Sequence, residues 1–269
     1  MRRALIVLYV LLLIVGFSVV HAQDELPPLL ILNDGGIFAI SPQDGAILET
    51  LVAPPEDYAA LADAIYEPVT LFSAEWMSPD SEYLAYRVVS ERDPIQAGGD
   101  PVYTQSFFLL NLIEGGDPIP VKLTDENAYR VTVESVAWSH DGAHLYVLIT
   151  SQTPRQGDSL WSLLIFERGE WQTALEVPLD PPDYAMGRSI FATDEGAAIW
   201  DQGLQIPHYV ITNYDTAGEI VSTAEVTADL SPDVNVYINT PINPIMVDGV
   251  TSFALVHQMW GSLVYQIDL

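Results

Sequence analysis

Ala137-Trp138-Ser139-His140-Asp141-Gly142-Ala143-His144-Leu145-Tyr146-Val147 reads as the end of one apolar strand, a short polar tip and the start of a second strand. Glu75-Trp76-Met77-Ser78-Pro79-Asp80-Ser81-Glu82-Tyr83-Leu84-Ala85-Tyr86 carries the same pattern upstream. Weaker copies centre on Asp194, within Phe191–Trp200, and on Asp248, within Met246–Leu255. The four aspartates recur at intervals of roughly 50–60 residues, a period that signals stacked units, none of which can bury its own core alone.

The segments between the tips fit that period. Short apolar runs bounded by Gly, Pro and Asp read as strands. Asp34-Gly35-Gly36 and Gln43-Asp44-Gly45 punctuate the first of them, near 29–32, 37–40 and 46–52. One set lies near 69–77, 82–89, 105–111 and 119–123, and a second near 131–138, 143–150, 160–166 and 171–177. A third lies near 188–193, 197–200, 207–214 and 218–226. The last comprises 234–238 or 244–247, then 251–257 and 262–268. Tyr58, Leu61, Ala62 and Ile65, between Pro54-Pro55 and Pro68, have helical spacing, which predicts one short inserted helix near 56–66. Four strands per unit make the blade of a β-propeller. The expected fold is therefore all-β, a propeller of about five four-stranded blades over 23–269. Trp76 and Trp138 would sit on inner strands and pack between blades.

The stretches from Trp76 to Tyr86 and from Trp138 to Val147 resemble the Trp-Ser-Pro-Asp-Gly…aliphatic-Ala-aromatic signature of the TolB-like, WD40-like PD40 propeller repeats. Ser78-Pro79-Asp80 keeps three of the four turn residues, with Ser81 in the Gly position and Met77 inserted after the Trp. Ser139, Asp141 and Gly142 keep three in the second copy, with His140 in the Pro position. Leu123-Thr124 is similar to the family's blade-ending pair. The resemblance covers 68–180 best and implies a propeller from an exported bacterial protein that works through protein contacts. Nothing matches the separate N-terminal domain of the family's periplasmic member. The turn chemistry itself is structural: an Asp side chain accepts backbone N–H groups, and Pro79 presets the backbone angle.

Arg2-Arg3, the apolar run Ala4–Val20 and the small-x-small Val20-His21-Ala22 form an export signal over 1–22, with Gln23 as the expected first mature residue. The run is a little shorter than the roughly 20 residues of a spanning helix, so a membrane link would arise only through an uncleaved signal. The expected location is periplasmic or extracellular. The chain has no Cys, and the mature length suffices for a core without disulfides. Against 37 Asp and Glu stand nine Lys and Arg, a net charge of −28, with Lys122 the single lysine. That field repels nucleic acid and anionic lipid and favours solubility or a basic partner. An apolar content of 49% excludes a disordered acidic tail.

No complete catalytic set is legible. Gly157-Asp158-Ser159-Leu160 spells a hydrolase nucleophile motif, but no Asp-x-x-His follows it, and no G-x-S-x-G elbow occurs. His140 and His144 flank a hairpin tip, where zinc would still need further ligands. Asp93…Asp100 and Asp180-Pro181-Pro182-Asp183 are candidate weak Ca²⁺ loops without a recognised ligand spacing. No cofactor is expected. Arg92, Arg155 and Tyr184, in the long irregular stretches 91–104, 151–159 and 178–187, and Arg188 at the edge of the last, are candidate anchors for a protein or cell-envelope partner. The reading is a non-enzymatic binding module. The alternative is a carbohydrate- or peptide-active hydrolase or lyase with paired carboxylates at the propeller mouth.

Overall fold

The computed structural model describes residues 28–33, 35–54, 69–71, 76–91, 103–123, 130–152, 160–181, 185–203, 208–227, 238–241, 245–247, 250–257 and 264–268. Two compact units, Met1–Glu56 and Asp57–Leu269, divide the chain. The first holds sheet I, a meander of β1 (Leu29–Asn33), β2 (Gly36–Ile40) and β3 (Ile47–Val52). Ile37 and Ala39 are buried, whereas Ile47 and Leu48 on the outer strand are exposed. In the β2–β3 turn Ser41 N–H donates to Ala46 O at 2.8 Å, and Asp44 Oδ1 accepts from Ala46 N–H at 3.1 Å.

The second unit holds four sheets. Sheet II orders β4 (Val69–Leu71), β5 (Tyr83–Glu91), β6 (Tyr103–Asn111) and β7 (Ile119–Val121) as an antiparallel meander. Sheet III does the same with β8 (Arg130–Trp138), β9 (His144–Gln152), β10 (Leu160–Glu167) and β11 (Leu175–Leu179). Sheet IV follows with β12 (Ala185–Ala192), β13 (Gly196–Gly203), β14 (His208–Asp215) and β15 (Ile220–Thr227). In sheet V, β16 (Ile238–Pro241) and β17 (Ile245–Val247) both pair with β18 (Val250–His257), whose other edge takes β19 (Val264–Asp268). Of the two stretches expected as alternatives, 244–247 overlaps β17, whereas 234–238 meets β16 only at Ile238 and otherwise lies outside the described residues. The helix expected near 56–66 lies outside the described residues, which contain no α-helix.

Two-residue periodicity explains why sheet III occupies the middle. Trp138, Leu145, Val147, Leu164 and Phe166 point to one side and join Trp76, Ala85, Phe107, Leu109 and Val121 of sheet II in one buried cluster. Their neighbours Ala137, Tyr146, Leu148, Leu163 and Ile165 point to the other side and pack on Ile190, Ala197, Ile199 and Tyr214 of sheet IV. A strand buried on both faces reads as a continuous apolar run, as Leu145–Ile149 does. Sheets II, III and IV therefore stack face to face, each a short meander, as propeller blades do.

The strand expected over 69–77 does not run into its tip. Among the described residues β4 ends at Leu71, Trp76 lies in a 3₁₀ turn, and Met77 makes an isolated bridge to Leu84. Met77 is the residue inserted between the Trp and the Ser, so Trp76 cannot continue a regular strand as Trp138 does. Trp76 is nonetheless buried, and its carbonyl accepts the Trp138 indole N–H at 3.0 Å.

Candidate functional site

The polar residues singled out in the sequence build one end of the stack. At the first tip Ser78 Oγ donates to Asp80 Oδ1 at 2.6 Å, while Tyr83 N–H donates to Ser78 Oγ at 2.8 Å and Glu82 N–H to Asp80 Oδ1 at 3.1 Å. At the second, Ser139 Oγ donates to Asp141 Oδ1 at 2.7 Å, His144 N–H to Ser139 Oγ at 2.8 Å and Ala143 N–H to Asp141 Oδ1 at 3.0 Å. Ser81 and Gly142 take the same left-handed position, with φ of 60° and 70°. The hydroxyl of Ser78 and the backbone N–H of Glu82 hold Asp80 down at about 2, with Arg168 assisting. Ser139 and the Ala143 N–H lower Asp141 in the same way. Both carboxylates are thus ionised, each with Oδ1 committed to its own turn.

The third tip is built differently. Thr193, not Asp194, caps it: Gly196 N–H donates to Thr193 Oγ1 at 3.1 Å, and Thr193 N–H donates to Gly196 O at 2.9 Å. With no serine at position 193 and only two residues between Thr193 and Gly196, the tip is too short for the Ser-Asp pattern, and Asp194 turns outward. It meets His140 Nδ1 of the neighbouring sheet at 3.1 Å. Asp248 lies outside the described residues.

Arg168, in the β10–β11 turn, joins sheet III to sheet II. Its guanidinium pairs with Asp80 at 2.7 Å and with Glu82, and stands 5.1 Å from the Tyr83 ring centre. A Cβ at Gly142 would stand 3.1 Å from Arg168 and 3.7 Å from Pro79, so glycine there suits both its positive φ and the close approach of the two tips. In a meander the first-to-second and third-to-fourth strand turns share one end. These contacts place the turns of sheets II, III and IV at a common end. Among those six turns Arg168 is the only Lys or Arg, against exposed carboxylates that include Asp80, Glu114, Asp141, Glu170, Asp194 and Glu195.

The candidate anchors take no part in these turns as far as the described residues go. Arg92, Arg155 and Tyr184 lie outside the described residues. Arg188 is not the exposed anchor expected from its loop-edge position. It lies on β12 with a side chain only 6% exposed, donates to both carboxylate oxygens of Asp201, one at 2.9 Å, and to Asp180 O at 3.0 Å, and stacks 4.9 Å from the Trp161 ring centre. A buried arginine needs such a bidentate partner, and its donors are spent on it.

Sequence reading missed two further inter-sheet devices. A bulge in β8 between Val133 and Ser135 turns the Val133 backbone toward sheet II. Gln105 Oε1 accepts from Val133 N–H at 2.8 Å, and the Arg87 guanidinium donates to Val133 O. Burial lowers the Arg87 pKa while nearby Glu134 opposes the shift. The second is a cavity of about 270 Å³ between sheets II and III, lined by Lys122, Leu123, Leu164, Gln172, Thr173, Ala174 and Glu176. Among the described residues no three His, Cys, Asp or Glu side chains gather as a metal site. His144 instead stacks on Tyr146 at 6.2 Å.

No family model matches the chain, and no curated protein does. Its structure is similar to hydrazine synthase of Kuenenia stuttgartiensis, with TM-score 0.42 and 13% identity over 91% of this chain and 64% of that one. It is also similar to a candidate 6-phosphogluconolactonase of Bacteroides fragilis, with TM-score 0.34 and 14% identity over 76% and 70%. A prolyl endopeptidase gives TM-score 0.29 and 11% identity over 89% and 47%. The chain spans less than two thirds of the hydrazine synthase and endopeptidase chains. Likenesses this distant carry no argument about activity.

Proposed function

We propose that the chain is an exported PD40-type β-propeller module that binds without catalysing, and that its turn-bearing end docks on a basic surface of a protein or cell-envelope component. The observation that supports this is the charge layout of that end: many exposed carboxylates and a single arginine already held by Asp80 and Glu82. Lowered pKa values keep Asp80 and Asp141 charged at neutral pH. Such a face steers a cationic partner and repels an anionic one. The stacked sheets supply the rigidity, and the turns can change without disturbing the core.

The test is a pull-down from the native envelope fraction with the wild type and a Glu114→Lys, Glu170→Lys, Glu195→Lys variant. These side chains are exposed and take no part in capping the tips. The wild type should retain a basic partner at low salt and release it as ionic strength rises, and the variant should not retain it. Equal recovery by both removes the docking proposal. Sugar or peptide turnover abolished by one carboxylate substitution would replace binding with catalysis. Export is tested separately: intact mass from an export-competent host should give a chain starting at Gln23, and a membrane-bound product retaining Met1 would contradict cleavage.

A further inference from the structure

The last strands of sheets I to IV are guarded unequally against pairing with another chain. An edge strand offers a row of N–H and C=O groups, which proline, lysine, bulges or brevity normally blunt. Pro120 and Pro178 blunt β7 and β11, and β7 is only three residues long. Two register shifts break the pairing of β3 with β2. β15 has one shift at its start and then runs in continuous register with β14 from Ser222 to Thr227. Its eight residues include no Pro, Lys or Arg, and Ile220, Val221, Thr223, Val226 and Thr227 are β-branched. Among the described residues no strand pairs with its other edge. Ile220, Val221, Ser222 and Thr223 are exposed. A Cβ at Gly218 would stand 2.5 Å from Val177 and 3.3 Å from Leu175, so the exposed Leu175 of sheet III lies beside the start of β15 and extends its apolar border.

We infer that the outer edge of β15 takes up an extended basic segment of another protein as a further strand of sheet IV. Strand addition draws its affinity from main-chain hydrogen bonds and its selectivity from alternate side chains. Charge selects the basic segment. β11, β14, β15 and the turn between the last two carry Glu176, Asp215, Glu219 and Glu225 and no Lys or Arg. Lysines or arginines alternating with aliphatic residues would meet that field on one face, while the aliphatic residues rest near Ile220, Val221 and Leu175. A second copy of this chain is a poorer occupant, because it would bring the same net charge of −28 to the contact. The site lies along a strand edge rather than over the turns, and does not rest on the docking assigned to the turn-bearing end.

The probe is an acetylated, amidated octapeptide of alternating valine and lysine, titrated into the full chain at physiological ionic strength. It should bind saturably and slow hydrogen exchange of the backbone amides of β15. The same peptide with alternate backbone nitrogens methylated keeps its charge but cannot add to a sheet, and should bind at least about tenfold more weakly. Its glutamate-for-lysine counterpart should not bind. A Val221→Lys, Thr223→Lys double variant places two cations beside the edge and should weaken the peptide about tenfold, with an unchanged far-UV circular dichroism spectrum showing an intact fold. The turn-end triple variant changes the net charge further but leaves β15 intact, and should stay within about threefold of the wild type because salt screens distant charges. No saturable binding, equal affinity for the methylated peptide, equal weakening by the two variants, or protection anywhere but β15 overturns the proposal. So does a dimer of the free chain in sedimentation whose β15 amides are already protected, which would give the edge to a second copy. Loss of the basic partner in the turn-end variant with retention of the peptide separates this site from the turn-end face.

Discussion

Trp138 shows how a single side chain holds two sheets. It is 5% exposed, hydrogen-bonds to the Trp76 carbonyl, and packs edge-on against Trp171 with ring centres 5.9 Å apart. Trp138→Ala should cost about 3–5 kcal/mol through the cavity it leaves, read from urea unfolding, and a loss below about 1 kcal/mol would contradict this packing. Asp80 makes a pH prediction. Its folded pKa of about 2 lies below the ordinary carboxylate value, so its contribution is present at neutral pH and is lost as pH falls from about 4 through about 2. The wild type should lose more stability than Asp80→Asn between pH 5 and pH 2, measured by denaturant midpoints. Equal losses would mean that the turn hydrogen bonds do not depend on charge. The tips were legible because Ser-x-Asp closes its hydrogen bonds within five residues. Arg168 and Arg87 were not, because their partners Glu82 and Val133 lie 86 and 46 positions away and only stacking brings them together.

At the scale of the element, the meander sheets were readable from apolar runs and turn residues, while their departures from regularity were not. The β8 bulge leaves no composition signal, and its satisfaction by Gln105 and Arg87 depends on the neighbouring sheet. The Arg188 error has the same origin: an arginine beside a loop reads as exposed until its partner Asp201, on the paired strand, is placed opposite. The outer strands β7 and β11 carry Pro120 and Pro178, which withhold a donor and discourage edge pairing. Gly196 begins β13 where a Cβ would stand 2.2 Å from the Tyr214 carbonyl oxygen. Gly196→Ala should therefore cost about 1–3 kcal/mol by crowding backbone against backbone, whereas Gly187→Ala, where nothing lies within 4 Å, should change little. Comparable melting temperatures for the two variants would contradict the close approach.

At the largest scale, sheets II, III and IV depend on their successive interfaces as in other stacked architectures. The Arg168 link at the turn end is partly exposed and salt-accessible. Arg168→Met should lower stability by about 1 kcal/mol or less at low ionic strength, with the difference shrinking in high salt. A salt-independent loss would assign its role to packing on Tyr83 instead. The period of the tips made the stacked sheets legible in the sequence. The cavity between sheets II and III was not, because its lining residues belong to different repeats and come together only across a sheet boundary.

The two-sided burial of sheet III has a consequence for biogenesis. During synthesis its strands emerge after those of sheet II and can cover that neighbour at once. Its second face, with Tyr146, Leu148, Leu163 and Ile165, stays wet until β12 and β13 have left the ribosome. For that interval the emerging chain presents a broad oily surface to its surroundings, the kind of surface that chaperones recognise. A chain stalled or clipped near residue 180 would keep that surface permanently, and should be recovered in inclusion bodies or bound to a holdase rather than as a smaller soluble protein.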